Sequence, residues 1–302
     1  MIKDLFDTCL SLVKIAIKSR PVNRIAANIP SQQVVIIGNG PSAKDFLEKA
    51  KIQQPNATLF AVNKFAIDPV FNEIKPEFYL LHDADFFDFT QAVFENPGLH
   101  PRTKLKPEFE VWQSQINQTW ERLLNQTWGI TLYIPNQYKN TYIVKKAKTK
   151  QINIQTYNYT VTRGFQFFKN FAFSHSLGMP QCQNVINAAI FHALLLPVKS
   201  IYCCGLDHDF HRNLIVGPDN QVYESVSHFY TAEAFKHPLI HADGSGKVFL
   251  RQVFSNLSKL HTSYFELSKF AAHQNIKILN ITPGGFVDEF ERENAEVLFS
   301  KL

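Results

Sequence analysis

The stretch Gln33–Leu47, QVVIIGNGPSAKDFL, decides how the chain folds. Val34–Ile37 is short and β-branched throughout, the pattern of a strand buried on both faces. Ser42 and Asp45 have the spacing of a capping box, and Phe46 and Leu47 open an apolar helical face behind them. Gly38, Asn39, Gly40, Pro41 and Ser42 therefore join the C-terminal end of a strand to the N-terminus of a helix. Free backbone N–H groups and the helix dipole at such a junction favour an anion, and a nucleotide phosphate is the natural candidate.

The same loop fits the GxGxxA dinucleotide pattern, which dehydrogenases follow with an acid at the end of the second strand. Here the second strand, in NATLFAVNKF, ends at Asn63 and Lys64, which argues against a nicotinamide cofactor. KPEFYLLHDADFF carries a third strand ending at His82 and Asp83. In CQNVINAAIFHALLLPVKSIYCCGLDHDF an apolar helix, Val185 to Leu196, is broken by Pro197 and followed by a buried strand, Ser200–Cys204. A long amphipathic helix, LSKLHTSYFELSKFAAHQ, and a last strand, IKILNI, complete the pattern. Strands spaced by helices predict an α/β fold with a mostly parallel, Rossmann-like sheet flanked by helices. Asn39, Asn63, Asp83 and Asp207 would then meet at the C-terminal edge of that sheet.

Two spans depart from the pattern. Residues 90–150 read as a helical insertion, with NQTWERLLNQTWG as a Trp-bearing helix, ITLYIP as a strand and KKAKTK as a solvated basic loop. Residues 208–250 are rich in Gly, Pro, Asn, His and aromatics without periodicity, which suggests a lid over the sheet edge. Residues 1–30 hold an amphipathic helix ahead of the α/β domain, 31–302. Its stripe of Ile2, Leu5, Phe6, Leu10, Val13 and Ile17 is interrupted by too many charges to span a bilayer. Two placements suit it: packed on its own domain or a partner subunit, or lying on an anionic membrane with Lys14, Lys18 and Arg20 at the headgroups.

Of the 302 residues, 45% are hydrophobic and 19% charged, so the chain is globular, and its net charge of +5 calls for no nucleic-acid partner. The cysteines, Cys9, Cys182, Cys203 and Cys204, lack metal-ligand spacing and read as free thiols in a reducing, cytoplasmic protein. Asp83 and Asp85 form an Asp-X-Asp triplet that could hold a divalent cation against a diphosphate. Asp207, His208, Asp209 and His211 could bind a transition metal, although the plainer expectation is that the histidines line a pocket. His228 and His261 are candidate proton acceptors.

VVIIGNGPS, FAVNKF, FYLLHDADFF, PVKSIYCCGLDHDF and SHFY, in this order, resemble two related groups. One is the bacterial sialyltransferases of glycosyltransferase family 42. The other is the motility-associated glycosyltransferases and 6-hydroxymethylpterin diphosphokinase-like proteins of polysaccharide gene clusters. The resemblance covers about 34–87 and 184–290 and implies a sialyltransferase-like variant of the GT-A type of fold. It implies transfer of a sugar from a nucleotide donor, a CMP-linked acidic sugar being favoured, to a hydroxyl of a surface glycan such as lipooligosaccharide or capsule. No cofactor would be required beyond the donor, with a divalent metal through Asp83 and Asp85 as the alternative. Asn39 and Asn63 match asparagines that hold the donor nucleotide, and Asp83 stands where the sialyltransferases carry another asparagine. Gln183, Asn184 and Val185 stand near the family's Thr-Ser-Gly, and Tyr230 falls in the lid. The family's catalytic histidine has no strict counterpart; His261, a helical turn after Ser258 and Lys259, and His228 in SHFY are the options. The resemblance further implies a glycan or glycolipid acceptor and contact with the inner membrane, and leaves self-association open. The rival activities are a Mg-dependent pterin pyrophosphokinase and a non-catalytic nucleotide-binding module.

Overall fold

The computed structural model describes residues 1–22, 29, 31–104, 109–150, 152–226, 235–241 and 246–299. In chain order, the first half runs α1 (Ile2–Lys18), β1 (Gln33–Ile37), α2 (Ala43–Ile52), β2 (Thr58–Val62), α3 (Val70–Ile74), β3 (Phe78–Leu80), α4 (Gln91–Glu95), α5 (Phe109–Leu124), β4 (Ile130–Pro135), α6 (Tyr142–Ala147) and β5 (Ile152–Tyr157). The second half runs α7 (Gln166–Ser174), α8 (Val185–Ala193), β6 (Ser200–Cys204), β7 (Ile215–Val216), β8 (Val222–Val226), β9 (Phe235–Pro238), α9 (Leu250–Gln274), β10 (Lys277–Asn280) and β11 (Glu291–Arg292).

Eight strands form one parallel sheet in the order β11-β10-β6-β1-β2-β3-β4-β5. The chain builds outward from β1 to β5, then returns to place β6 on the other side of β1. That reversal makes the β1–β6 junction the topological switch point, where open α/β sheets leave a crevice for ligands. Alternation along β1 serves two cores. Val35 and Ile37 pack with α2, α3 and α5, while Val34 and Ile36 pack with α8 and α9.

The span 90–150 is not set apart from this architecture. β4 pairs with β3 and with β5, so ITLYIP continues the main sheet. α5 crosses over one face and buries Trp120 completely. The basic stretch KKAKTK is helical in its first half, since α6 extends to Ala147. The expected lid contains an antiparallel sheet, β7-β8-β9, and its Glu224 reaches the sheet-edge cavity described below.

α1 docks on the domain through its polar face. Ser11 Oγ donates to the Arg163 carbonyl at 3.0 Å and accepts from the Arg163 N–H at 2.9 Å. The Phe165 N–H donates to Thr8 Oγ1 at 3.1 Å. Gly164 has φ +115, and a Cβ there would lie 2.0 Å from Thr8 Oγ1, so this approach requires glycine. The apolar stripe faces outward, with Phe6 67% and Ile17 64% exposed. Among the described residues, no helix is long and apolar enough to cross a membrane.

Candidate functional site

Two glycines let the β1 and β6 loops touch. The Gly38 N–H donates to the Cys204 carbonyl at 2.8 Å, and the Gly40 N–H to the Gly205 carbonyl at 3.3 Å. A Cβ on Gly38 would lie 2.6 Å from the Gly205 oxygen, and one on Gly40 would lie 1.9 Å from Asp207 Oδ2. Gly205 itself adopts φ +72, which only glycine holds without strain. The glycines thus serve close packing, and their amides are spent on backbone carbonyls rather than left for a phosphate.

The start of α2 is occupied as well. Ser42 makes no capping bond; its Oγ donates to Asp207 Oδ2 at 2.7 Å, and its backbone N–H bonds to the same carboxylate. Asp207 therefore supplies the negative charge that the α2 dipole favours. This corrects the expectation of an open anion seat in the GNGPS loop: a carboxylate from 165 positions along the chain fills it. Burial pushes the Asp207 carboxyl up from its usual range, against the opposing pull of the Ser42 hydrogen bonds.

A cavity of about 340 Å³ opens beside this loop, at the switch point. Asn39, Gly40, Pro41, Asn184, Asp207 and His208 are on its wall. Asn39 Nδ2 donates to the Val62 carbonyl at 3.5 Å, while Asn39 Oδ1 is buried without a hydrogen-bond partner. A buried acceptor in that condition calls for a donor from a ligand. Asn184 caps α8, with Oδ1 accepting the Asn187 N–H at 2.9 Å. Its Nδ2 lies 3.1 Å from Tyr264 Oη and 3.3 Å from His208 Nε2.

His208 adopts φ +47, a left-handed backbone uncommon outside glycine. Its Nε2 lies 2.7 Å from Tyr264 Oη. With Tyr264 and Asn184 both offering protons to Nε2, the network assigns the ring proton to Nδ1. Burial, with a smaller contribution from nearby His261, holds the imidazole down at about 4, so it is neutral at pH 7. A depressed histidine stabilises the fold fully above its unfolded pKa of about 6.5, and the contribution is lost as pH falls through about 4. Stability, followed by urea midpoint, is expected to fall by about 3 kcal/mol across that window, and His208→Gln should flatten the fall.

The other strand-end candidates form a neighbouring group rather than lining this cavity. Asn63 Nδ2 donates to Asp83 Oδ2 at 3.0 Å. Asp85 accepts from Arg102 at 2.7 Å and from Trp112 Nε1 at 3.2 Å, one bond on each carboxylate oxygen. Lys64 Nζ, 3.0 Å from the Trp112 ring centroid, lies within electrostatic reach of both acids, and burial lowers its pKa to about 7. Internal donors thus engage both acids of the Asp-X-Asp pair, Arg102 and Trp112 at Asp85 and Asn63 at Asp83.

His261 Nδ1 lies 2.8 Å from Glu289 Oε1, and Glu289 Oε2 is buried without a partner. His261 is not on the wall of the 340 Å³ cavity; it stands one helical turn from Tyr264, the residue that holds His208. Among the described residues, the one trio of close metal-ligating groups is His261, Asp288 and Glu289, so Asp207–His211 gathers no such set. His228 and Tyr230 lie outside the described residues. Tyr264 and Glu289 carried no local motif, because each meets its partner only through the fold. Cys182, Cys203 and Cys204 are buried, and burial raises their thiol pKa values, leaving them inert.

The fold and cavity define an α/β protein with a ligand crevice at the switch point of a parallel sheet. No protein-family model matches the chain, and no curated protein matches it. A solved structure, the MAf glycosyltransferase from Magnetospirillum magneticum AMB-1, is similar at 13% identity with a TM-score of 0.46. That comparison covers 97% of this chain and 39% of the other, so the chain spans about two fifths of that protein's length.

Proposed function

We propose that the protein is a glycosyltransferase using a nucleotide-sugar donor, with a CMP-linked acidic sugar favoured by the sequence resemblance. The observation that carries this proposal is Asn39 Oδ1, an unpartnered buried acceptor beside the switch-point cavity. A ribose hydroxyl or the exocyclic amine of a cytosine would satisfy it. Asn184 and Tyr264 hold His208 so that its Nδ1–H remains a neutral donor for the donor's phosphate.

In the transfer, an acceptor hydroxyl oxygen attacks the anomeric carbon, and the bond from that carbon to the phosphate oxygen breaks. The electron pair leaves with the nucleotide. The hydroxyl proton passes to a base, for which our candidate is His261, one helical turn from Tyr264 and with its Nδ1–H directed to Glu289. The expected acceptor is a surface glycan. The outward apolar face of α1, with Lys3, Lys14 and Lys18 along one flank, supports a resting place on an anionic membrane.

Thermal-shift measurements with CMP, UDP, GDP and ATP test the donor. Stabilisation follows RT ln(1 + [L]/Kd), and CMP is expected to give the largest shift, reduced in Asn39→Ala. Protection by UDP or GDP without CMP removes the acidic-sugar assignment. Protection by none of the four removes the nucleotide.

A further inference from the structure

A second cavity, of about 860 Å³, lies where the end of α1 crosses the loops that follow β4 and β5. Lys14 and Lys18 of α1, Arg20 beyond it, and Lys139 from the β4 side all stand on its wall, and no carboxylate does. Among the described residues, none of these four cations has an ion-pair partner. The helix dipole accounts for a cation at the end of α1. It does not account for Lys139, which arrives from a separate element and adds to the repulsion.

The backbone under these charges is fixed. The Arg20 N–H donates to Asn158 Oδ1 at 3.0 Å, and Asn158 Nδ2 donates back to the Arg20 carbonyl at 2.8 Å. The Arg20 guanidinium donates to the Ile17 and Ser19 carbonyls through one nitrogen, leaving most of its five donors for another acceptor. Four cations on one wall, with no carboxylate among the described lining residues, suit a multiply charged oxyanion, and the volume suits a sugar-sized body attached to it.

The two cavities have no lining residue in common but are linked through Tyr159. Tyr159 Oη donates to the Cys182 carbonyl at 3.2 Å, two residues before Asn184, and the Tyr159 ring packs edge-on to His82 at 4.6 Å.

We infer that this cavity binds the phosphate or diphosphate group of a ligand, and that this ligand is the acceptor. Only the second part rests on the proposed transfer; the oxyanion site stands on the cavity itself. The phosphate could be carried by a soluble sugar or by a membrane lipid, and the two sources are separable.

The full chain is titrated calorimetrically with inorganic pyrophosphate in the presence and absence of CMP. It is also floated with vesicles of equal parts phosphatidylcholine and phosphatidylglycerol. Lys139→Gln and Arg20→Gln are the variants; both side chains are exposed, so the fold is kept. One-to-one pyrophosphate binding, undisplaced by CMP and weakened about tenfold in each variant, supports a soluble source. Vesicle binding that Lys139→Gln abolishes, without binding of free pyrophosphate, supports a lipid source, because Lys139 is not part of α1. Pyrophosphate binding that both variants retain overturns the site, as does vesicle binding indifferent to Lys139 when free pyrophosphate does not bind. CMP protection of the wild type, read separately, reports on the transferase proposal alone.

Discussion

Replacing His261 with alanine is expected to lower kcat for sugar transfer by roughly 10²–10⁴-fold, the usual contribution of a positioned general base. The expectation comes from a tautomer argument that separates two neighbouring histidines. His208 has its Nε2 committed to Tyr264 Oη and the Asn184 amide, so its remaining nitrogen carries the proton and cannot accept another. His261 has the opposite arrangement. Its Nδ1 faces a carboxylate oxygen at 2.8 Å, which fixes the proton there and leaves a lone pair on Nε2. Glu289→Gln tests the orientation directly, since an amide nitrogen facing Nδ1 would favour the wrong tautomer at nearly constant shape. It should also lose at least tenfold in kcat while nucleotide protection is unchanged. Activity within threefold of the wild type in a folded His261→Ala protein would move the base elsewhere, with His228 the next to be substituted.

The central strands were legible for a physical reason. β1, β2 and β6 are buried on both faces, and such strands must be continuous apolar runs, which periodicity finds. β5 lies at the sheet edge, where alternation with exposed Asn153 breaks the continuous apolar run that marks the central strands. The candidate cavity's wall was legible at Asn39 and Asp207, because strand ends have local signatures, whereas Asn184 came only through the family resemblance. Their partners were not. Ser42 reads as a cap from its neighbours, yet bonds to Asp207; His261 reads as a lone histidine, yet meets Glu289 28 residues away. α1 shows the same limit. The amphipathic pattern locates the apolar stripe, but only the Ser11 and Thr8 contacts reveal that the polar face docks.

Trp120→Ala is expected to destabilise the protein by about 3–5 kcal/mol, the cost of deleting a fully buried large aromatic. The indole fills the core beneath β3 and β4, packs edge-on to Phe87 at 6.2 Å, and donates from Nε1 to the Phe86 carbonyl at 2.7 Å. Trp120→Phe separates the terms: it keeps most of the apolar volume and leaves that carbonyl unpaired, at a cost of about 1–3 kcal/mol. The consequence extends to the site because α5 clamps the β2 and β3 ends. Its Gln115 accepts from Lys64 at 2.7 Å, and its Trp112 donates to Asp85 at 3.2 Å. Loosening α5 should therefore release the Asn63–Asp83 rim before the sheet melts, visible as earlier amide exchange at residues 63–85 than at β1 and β6. A separate insertion would behave differently. Its core substitution would leave the melting temperature of the parallel sheet, and exchange at the β2 and β3 ends, as they are in the wild type. That outcome would detach α5 from the fold that positions the cavity.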